Sequence, residues 1–222
     1  MTRPTPGQGW LAALMLIAPC AALAQGPAFD CARASGQVEK LVCTDASLAR
    51  LDRQLHDVYE AALAKAQGRL KTTLREEQRG WVKGRNECWK ADGQPTWLTA
   101  SWTESTVPGC TQAQYRLRTA ELQAVWRLVA PRTVTYACGA SPANELVVHH
   151  FATDPPSLRL ERGDRTVTLW RVPASGPERY EGPNVSLAPQ ATAQTSGEAP
   201  AVTVRWLDTR TGQDATLQCT PK

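Results

Sequence analysis

The chain has 222 residues, a formal net charge of +4 from 25 Lys and Arg against 21 Asp and Glu, 42% hydrophobic residues and seven cysteines. Basic and acidic residues are interspersed rather than gathered into a basic stripe, so no nucleic-acid partner is expected. Beyond the first 24 residues no stretch approaches the about 20 apolar residues of a membrane helix, so no integral membrane segment is expected there.

Residues 1–24 read as an export signal. Arg3 gives a positive start, Trp10 to Pro19 is a short apolar run, and Ala22-Leu23-Ala24 is a small-residue cleavage site before Gln25. A lipid anchor on Cys20 is disfavoured because Pro19 stands where a small residue is required. The destination is periplasmic or secreted. In such a compartment six remaining cysteines imply a disulfide framework. Cys31, Cys43, Cys88 and Cys110 fall in residues 25–130, and Cys138 and Cys219 bracket residues 131–222. The mature net charge of +3 belongs to the first segment, with 15 basic and 12 acidic residues against 9 and 9 in the second.

In chain order, Thr44 or Asp45 can cap a helix whose apolar positions Leu48, Leu51, Leu55, Val58, Tyr59, Ala62 and Leu63 recur at three and four residue steps. A second helical run carries Leu70, Leu74, Trp81, Val82 and Cys88, despite Gly80 and Gly84, each of which costs about 1 kcal/mol relative to Ala. A loop with Gly93, Pro95, Pro108 and Gly109 follows from Trp89 to Gly109. A third helix carries Tyr115, Leu122, Val125, Trp126 and Val129, with Thr111 as its expected cap. A Cys88–Cys110 bridge would close the loop and leave Cys31 with Cys43, but four cysteines allow three pairings and the sequence does not choose among them.

These positions carry a resemblance. Phe29-Asp30-Cys31-Ala32, Val38-Glu39-Lys40, Cys43, Leu48, Leu51-Asp52, Tyr59, Gln78-Arg79, Trp81, Arg85 and Cys88, then Cys110, Tyr115, Arg118 and Leu122, are similar to the LprI-type exported helical domain over about residues 29 to 127. Some members of that family are implicated in lysozyme inhibition. Most of the matching positions are also accounted for as core, caps and disulfides.

After Pro131 the apolar period becomes two. Val134, Tyr136 and Cys138 share a face, as do Val167 and Leu169, Val202, Val204 and Trp206, and Leu217 and Cys219, with turn residues between them. This predicts a small antiparallel sandwich or barrel, with a Cys138–Cys219 bridge joining its first and last strands. The fold class is therefore α+β, a disulfide-stapled helical bundle followed by a small β-barrel.

The second segment has its own likeness. Tyr136-Ala137-Cys138, Leu146-Val147-Val148, Ala174-Ser175-Gly176, Arg179-Tyr180-Glu181-Gly182, Val185-Ser186-Leu187 and Cys219 resemble the MliC and PliC inhibitors of C-type lysozyme over about residues 133 to 219. The resemblance implies an eight-stranded barrel that presents two loops to the enzyme's sugar-binding cleft. Ser175, Gly176, Arg179 and Tyr180 would belong to the first loop, with Ser175 supplying a hydroxyl and Arg179 either holding the loop or pairing with a carboxylate. Ser196, Gly197 and Glu198 would belong to the second. Two departures stand out: one extra residue lies between Gly176 and Arg179, and no lysine occurs between Trp170 and Cys219.

Catalysis has little support, because Gly-x-Ser-x-Gly, His-Glu-x-x-His and phosphate-cradling glycine loops are all missing from the sequence. His149 and His150 are adjacent in a strand and point to opposite faces, and no paired C-x-x-C occurs, so neither a metal nor any other cofactor is expected. C-type lysozyme is the expected partner. Trp89, Trp97 and Trp102 in or beside the long loop motivate a second reading as a peptidoglycan or glycan binder, and an envelope adaptor is a third.

Overall fold

A computed structural model describes residue 1 and residues 26–93, 96–97, 103–139, 144–172, 178–190, 199–208 and 212–222. Four α-helices are followed by an eight-stranded antiparallel β-barrel. The helices are α1 (Gln37–Thr44), α2 (Ala46–Lys65), α3 (Gly68–Asn86) and α4 (Val107–Val125), with a two-stranded hairpin of β1 (Thr96–Trp97) and β2 (Thr103–Glu104) between α3 and α4.

Local chemistry sets the helix ends. Asp45 caps α2 through its carboxylate, which accepts from the Ser47 and Leu48 backbone N–H groups at 2.8 and 3.0 Å. Helix α1 has no counterpart among the sequence expectations. It begins at Gly36, where Glu39 reaches back to the Ser35 and Gly36 N–H groups at 3.0 and 3.1 Å. Helix α4 starts earlier than expected. Its cap is Thr106, whose hydroxyl accepts from Gly109 N–H at 3.1 Å, and not Thr111, which is buried inside the helix and donates to the Val107 carbonyl at 2.7 Å. Pro108, read from sequence as a loop breaker, sits in the first turn of α4, where a missing N–H costs nothing.

Disulfides join Cys31 to Cys43, Cys88 to Cys110 and Cys138 to Cys219. Leu55, Ala62, Leu74, Tyr115 and Leu122 form the centre of the helical core, with Trp81 and Tyr59 packed partly buried against it.

The barrel runs β3 (Arg132–Cys138), β4 (Glu145–Phe151), β5 (Ser157–Arg162), β6 (Arg165–Arg171), β7 (Tyr180–Gly182), β8 (Val185–Pro189), β9 (Val202–Asp208) and β10 (Gln213–Pro221), each paired with its sequence neighbour, and closes where β10 meets β3. Cys138 and Cys219 are direct register partners at that seam, so the disulfide fastens the first strand to the last. Tyr136, Leu146, Val148, Leu158, Leu160, Leu169, Leu187 and Val204 fill the interior, as the period-two pattern requires. Gly182 is needed at the β7 edge, since a Cβ there would lie 2.3 Å from the Thr168 carbonyl oxygen.

Helix α4 joins the halves. Tyr115 and Leu122 face the helical core, while Ala113 and Leu117 pack on Val172 and Trp170 at the end of β6. A helix apolar on two faces is one buried on both sides. Arg116 adds a hydrogen bond from Nε to Asp154 at 3.2 Å in the β4–β5 connection, and Arg127 lies 3.9 Å from Glu161 on β5.

Candidate functional site

Two places gather chemistry. The first is one end of the barrel. Because neighbouring strands are antiparallel, the connections after β4, β6 and β8 all leave from the same end. The bases of two of them are closed by backbone hydrogen bonds, Val172 N–H to Arg179 carbonyl at 2.9 Å and Gln190 N–H to Ala201 carbonyl at 2.8 Å. Ser175 and Gly176, and likewise Ser196, Gly197 and Glu198, lie between those bases and outside the described residues. Of the residues singled out in the sequence, Arg179 and Tyr180 are described.

Tyr180 is buried and points inward, 6.5 Å centroid to centroid from the His150 ring in an edge-on contact. Its hydroxyl donates to Glu178 at 2.8 Å. Burial first, and then that carboxylate, push the phenol above its ordinary range. His150 is held at about 4, chiefly by burial and next by the Arg132 charge, so its imidazole is neutral at pH 7. Arg179 pairs through Nε with Glu181 at 2.9 Å. Glu181 is buried, and its register partner on β6 is Trp170, the residue that packs on α4. His149 lies on the opposite face of β4 from His150, bonded at Nδ1 to Thr133 at 2.8 Å and 3.3 Å from Glu161.

The second place is a groove in the helical half, a cavity of about 440 Å³ between residues 28–34, α2 and α3. Asp52 is pinned by Ala28 N–H at 2.7 Å and by the Tyr115 hydroxyl at 2.8 Å. The Arg85 guanidinium donates to Tyr115 Oη and to Asn86 Oδ1, and lies 5.7 and 5.4 Å from the Trp81 and Tyr115 ring centroids. Asn86 donates onward to Glu39 at 3.2 Å. Backbone N–H groups at Gly36 and Ser35 hold the Glu39 carboxyl below its usual range, while burial raises the Tyr115 phenol.

In the sequence, Asp52, Trp81, Arg85 and Tyr115 belong to the LprI-type pattern, whose positions are mostly accounted for as core, caps and disulfides. The structure brings them into one polar network beside an open groove. The signal available in the sequence was Asp52 and Arg85 falling on the helix faces that carry the apolar residues. Trp89, by contrast, is exposed under Lys90, and the Trp97 and Trp102 side chains lie outside the described residues.

Comparison with known proteins bears on the helical half. Residues 30–122 match the family model described as "Lysozyme inhibitor LprI". The chain is 27% identical over 154 residues to "Lipoprotein LprI" of Mycobacterium tuberculosis, covering 68% of this chain and 70% of the relative, and equally to the Mycobacterium bovis protein of the same name. An alignment of that length extends beyond the 30–122 match. No solved structure matches the chain.

Proposed function

We propose, from the match of residues 30–122 to the family model described as "Lysozyme inhibitor LprI", that the chain is a member of that family and an exported protein inhibitor of C-type lysozyme that occludes the enzyme's cleft with loops of its barrel. The family match carries the inhibitor reading, and the resemblance of residues 133–219 to the MliC and PliC inhibitors is what assigns the contact to the barrel loops. Its role is to bind rather than to turn over substrate. Three disulfides fit an oxidising compartment, and among the described residues no helix is long and apolar enough to cross a membrane.

A C-type lysozyme works with a protonated carboxylic acid and an ionised carboxylate across its cleft. A loop offering a hydroxyl and a cation satisfies both. Ser175, Gly176 and Arg179 belong to the β6–β7 connection and Ser196, Gly197 and Glu198 to the β8–β9 connection, both at the same barrel end, while Tyr180, which opens β7 and points inward, supports the first loop from beneath. The Arg179–Glu181 ion pair favours Arg179 as the holder of its loop. Ser175 then makes the polar contact with the enzyme.

The test is lysis of a cell-wall suspension by egg-white-type lysozyme with increasing oxidised mature protein. Stoichiometric inhibition is expected, weakened at least about tenfold in Ser175→Ala/Arg179→Ala. Full-strength inhibition by that variant would move the inhibitory surface to the helical half, and no inhibition by the parent protein would refute the reading. Intact mass separates cleavage before Gln25 from lipid attachment at Cys20.

A further inference from the structure

The groove of the helical half is not used by the barrel-loop mechanism, and its chemistry is specific. Its lining includes three carboxylates, Asp30, Glu39 and Asp52, against the guanidiniums of Arg33 and Arg85. A phosphate-rich polyanion therefore has no attraction to it. Glu39, Asp52 and Arg85 are moreover engaged with one another, with backbone N–H groups or with Tyr115 and Asn86. Those bonds fix the floor before any ligand arrives, which limits the ordering cost of binding.

What remains for a ligand is aromatic and amphipathic. Phe29, Tyr59 and Trp81 line the groove half-buried, with exposed His56 at its edge. A volume of about 440 Å³ lies within the usual span of small-ligand sites. Aromatic surfaces flanked by amide and carboxylate groups suit a neutral ligand having an apolar face and a hydroxylated edge. A lipid tail would leave the charged rim unsolvated and unpaired.

We propose that this groove binds a β-1,4-linked oligosaccharide of N-acetylated amino sugars, the chemistry of the cell-wall glycan strand. The sugar rings stack on Tyr59 and Phe29, and Gln78 and Asp30 at the rim meet hydroxyl and acetamido groups. One wall, residues 28–34, is held by the Cys31–Cys43 bridge and by the Ala28–Asp52 hydrogen bond, so the site depends on the oxidised chain. Binding of this kind would concentrate the protein on the polymer that lysozyme cuts.

The experiment needs no lysozyme, so it stands apart from the inhibition assay. The oxidised mature chain is titrated with N-acetylchitotetraose by calorimetry and by the NMR shifts of the indole N–H groups, with maltotetraose as the unacetylated control. Saturable binding of the acetylated sugar, a shift at Trp81, and weakening of about tenfold in Tyr59→Ala are expected. His56→Ala, at an exposed position, serves as the second variant and should weaken binding less with an unchanged melting temperature. Absence of binding to both the tetrasaccharide and sheared peptidoglycan would overturn the proposal, as would equal binding by the parent and both variants. Loss of lysozyme inhibition in Tyr59→Ala with no sugar binding by the parent would also overturn it and assign the groove to the enzyme.

Discussion

The helical half and the barrel are both built around a buried tyrosine, yet they satisfy it in opposite ways. Tyr115 is fully buried among charges, its hydroxyl donating to Asp52 and accepting from Arg85. Tyr180 sits at the open end of an apolar interior, its hydroxyl reaching out to Glu178. The helical half thus puts a polar network near its centre and leaves a groove over it, whereas the barrel fills its centre mainly with apolar side chains, Tyr136 and Trp206 among them, and meets the Tyr180 hydroxyl with Glu178. A network of buried charges is costly unless every partner is present, and that makes it specific. The barrel depends instead on closure.

Closure supplies the largest predicted effect. In the chain-entropy account, the Cys138–Cys219 bridge, spanning 81 residues, contributes about 4.5 kcal/mol, while Cys88–Cys110, spanning 22, and Cys31–Cys43, spanning 12, contribute about 3 kcal/mol each. Paired serine substitutions should follow that order in chemical denaturation, with the barrel variant losing strand signal first. Equal losses from all three would mean that loop length does not set the worth of the bridges, and no loss from the barrel pair would mean that its seam is held by hydrogen bonds alone.

Next comes the helical network. Arg85→Ala removes the buried guanidinium between Trp81, Tyr115 and Asp52 and leaves the partly buried Asp52 carboxylate without its cation, at a cost of about 2 to 3 kcal/mol. Tyr115→Phe, which deletes only the hydroxyl, should cost about 1 to 2 kcal/mol. Both losses belong to helix content followed by circular dichroism. Reversal of that order would show the tyrosine hydroxyl, and not the ion, to be the centre of the network.

A third, smaller effect separates the halves by pH. Folded His150 titrates at about 4 against 6.5 for the free side chain. Between those values the unfolded chain takes up a proton that the folded barrel refuses. Its neutral form is fully accommodated above about pH 6.5, and stability is lost as pH falls toward 4, by about 2 kcal/mol after allowance for partial solvent access. His150→Gln should flatten the barrel's stability between pH 4 and 6.5. An unchanged slope would place the acid sensitivity on carboxylates.

What could be read from the sequence follows the same division. The barrel announced itself through alternation, because Tyr136, Cys138, Val202, Val204 and Trp206 must all face one interior. The sequence narrows the α2 cap to Thr44 or Asp45, and the structure uses Asp45. Helix α1 was not legible, since only Val38 and Val42 are buried in its eight residues, too few to establish a period. The start of α4 was misplaced because Pro108 and Gly109 look like loop punctuation, although proline is harmless in a first turn. The groove was hidden for a different reason. Asp52, Arg85 and Tyr115 are 33 and 30 residues apart in succession and meet only once α2, α3 and α4 have packed, so no local pattern displays them.

The smallest predicted effect tests how firmly the two halves are coupled. Arg116 on α4 and Asp154 in the β4–β5 connection are 36% and 70% exposed, so solvent screens their ion pair, and the ordinary worth of such a contact is about 0.5 kcal/mol. A double-mutant cycle with Arg116→Ala and Asp154→Ala should return a coupling near that figure, because Leu117 and Ala113 against Val172 and Trp170 supply most of the attachment. A coupling above about 1.5 kcal/mol would mean that the pair acts together with the apolar patch to fix α4 on the barrel. The loop-bearing end of the barrel would then be set by the helical half, and substitutions on α4 would alter inhibition without touching either loop.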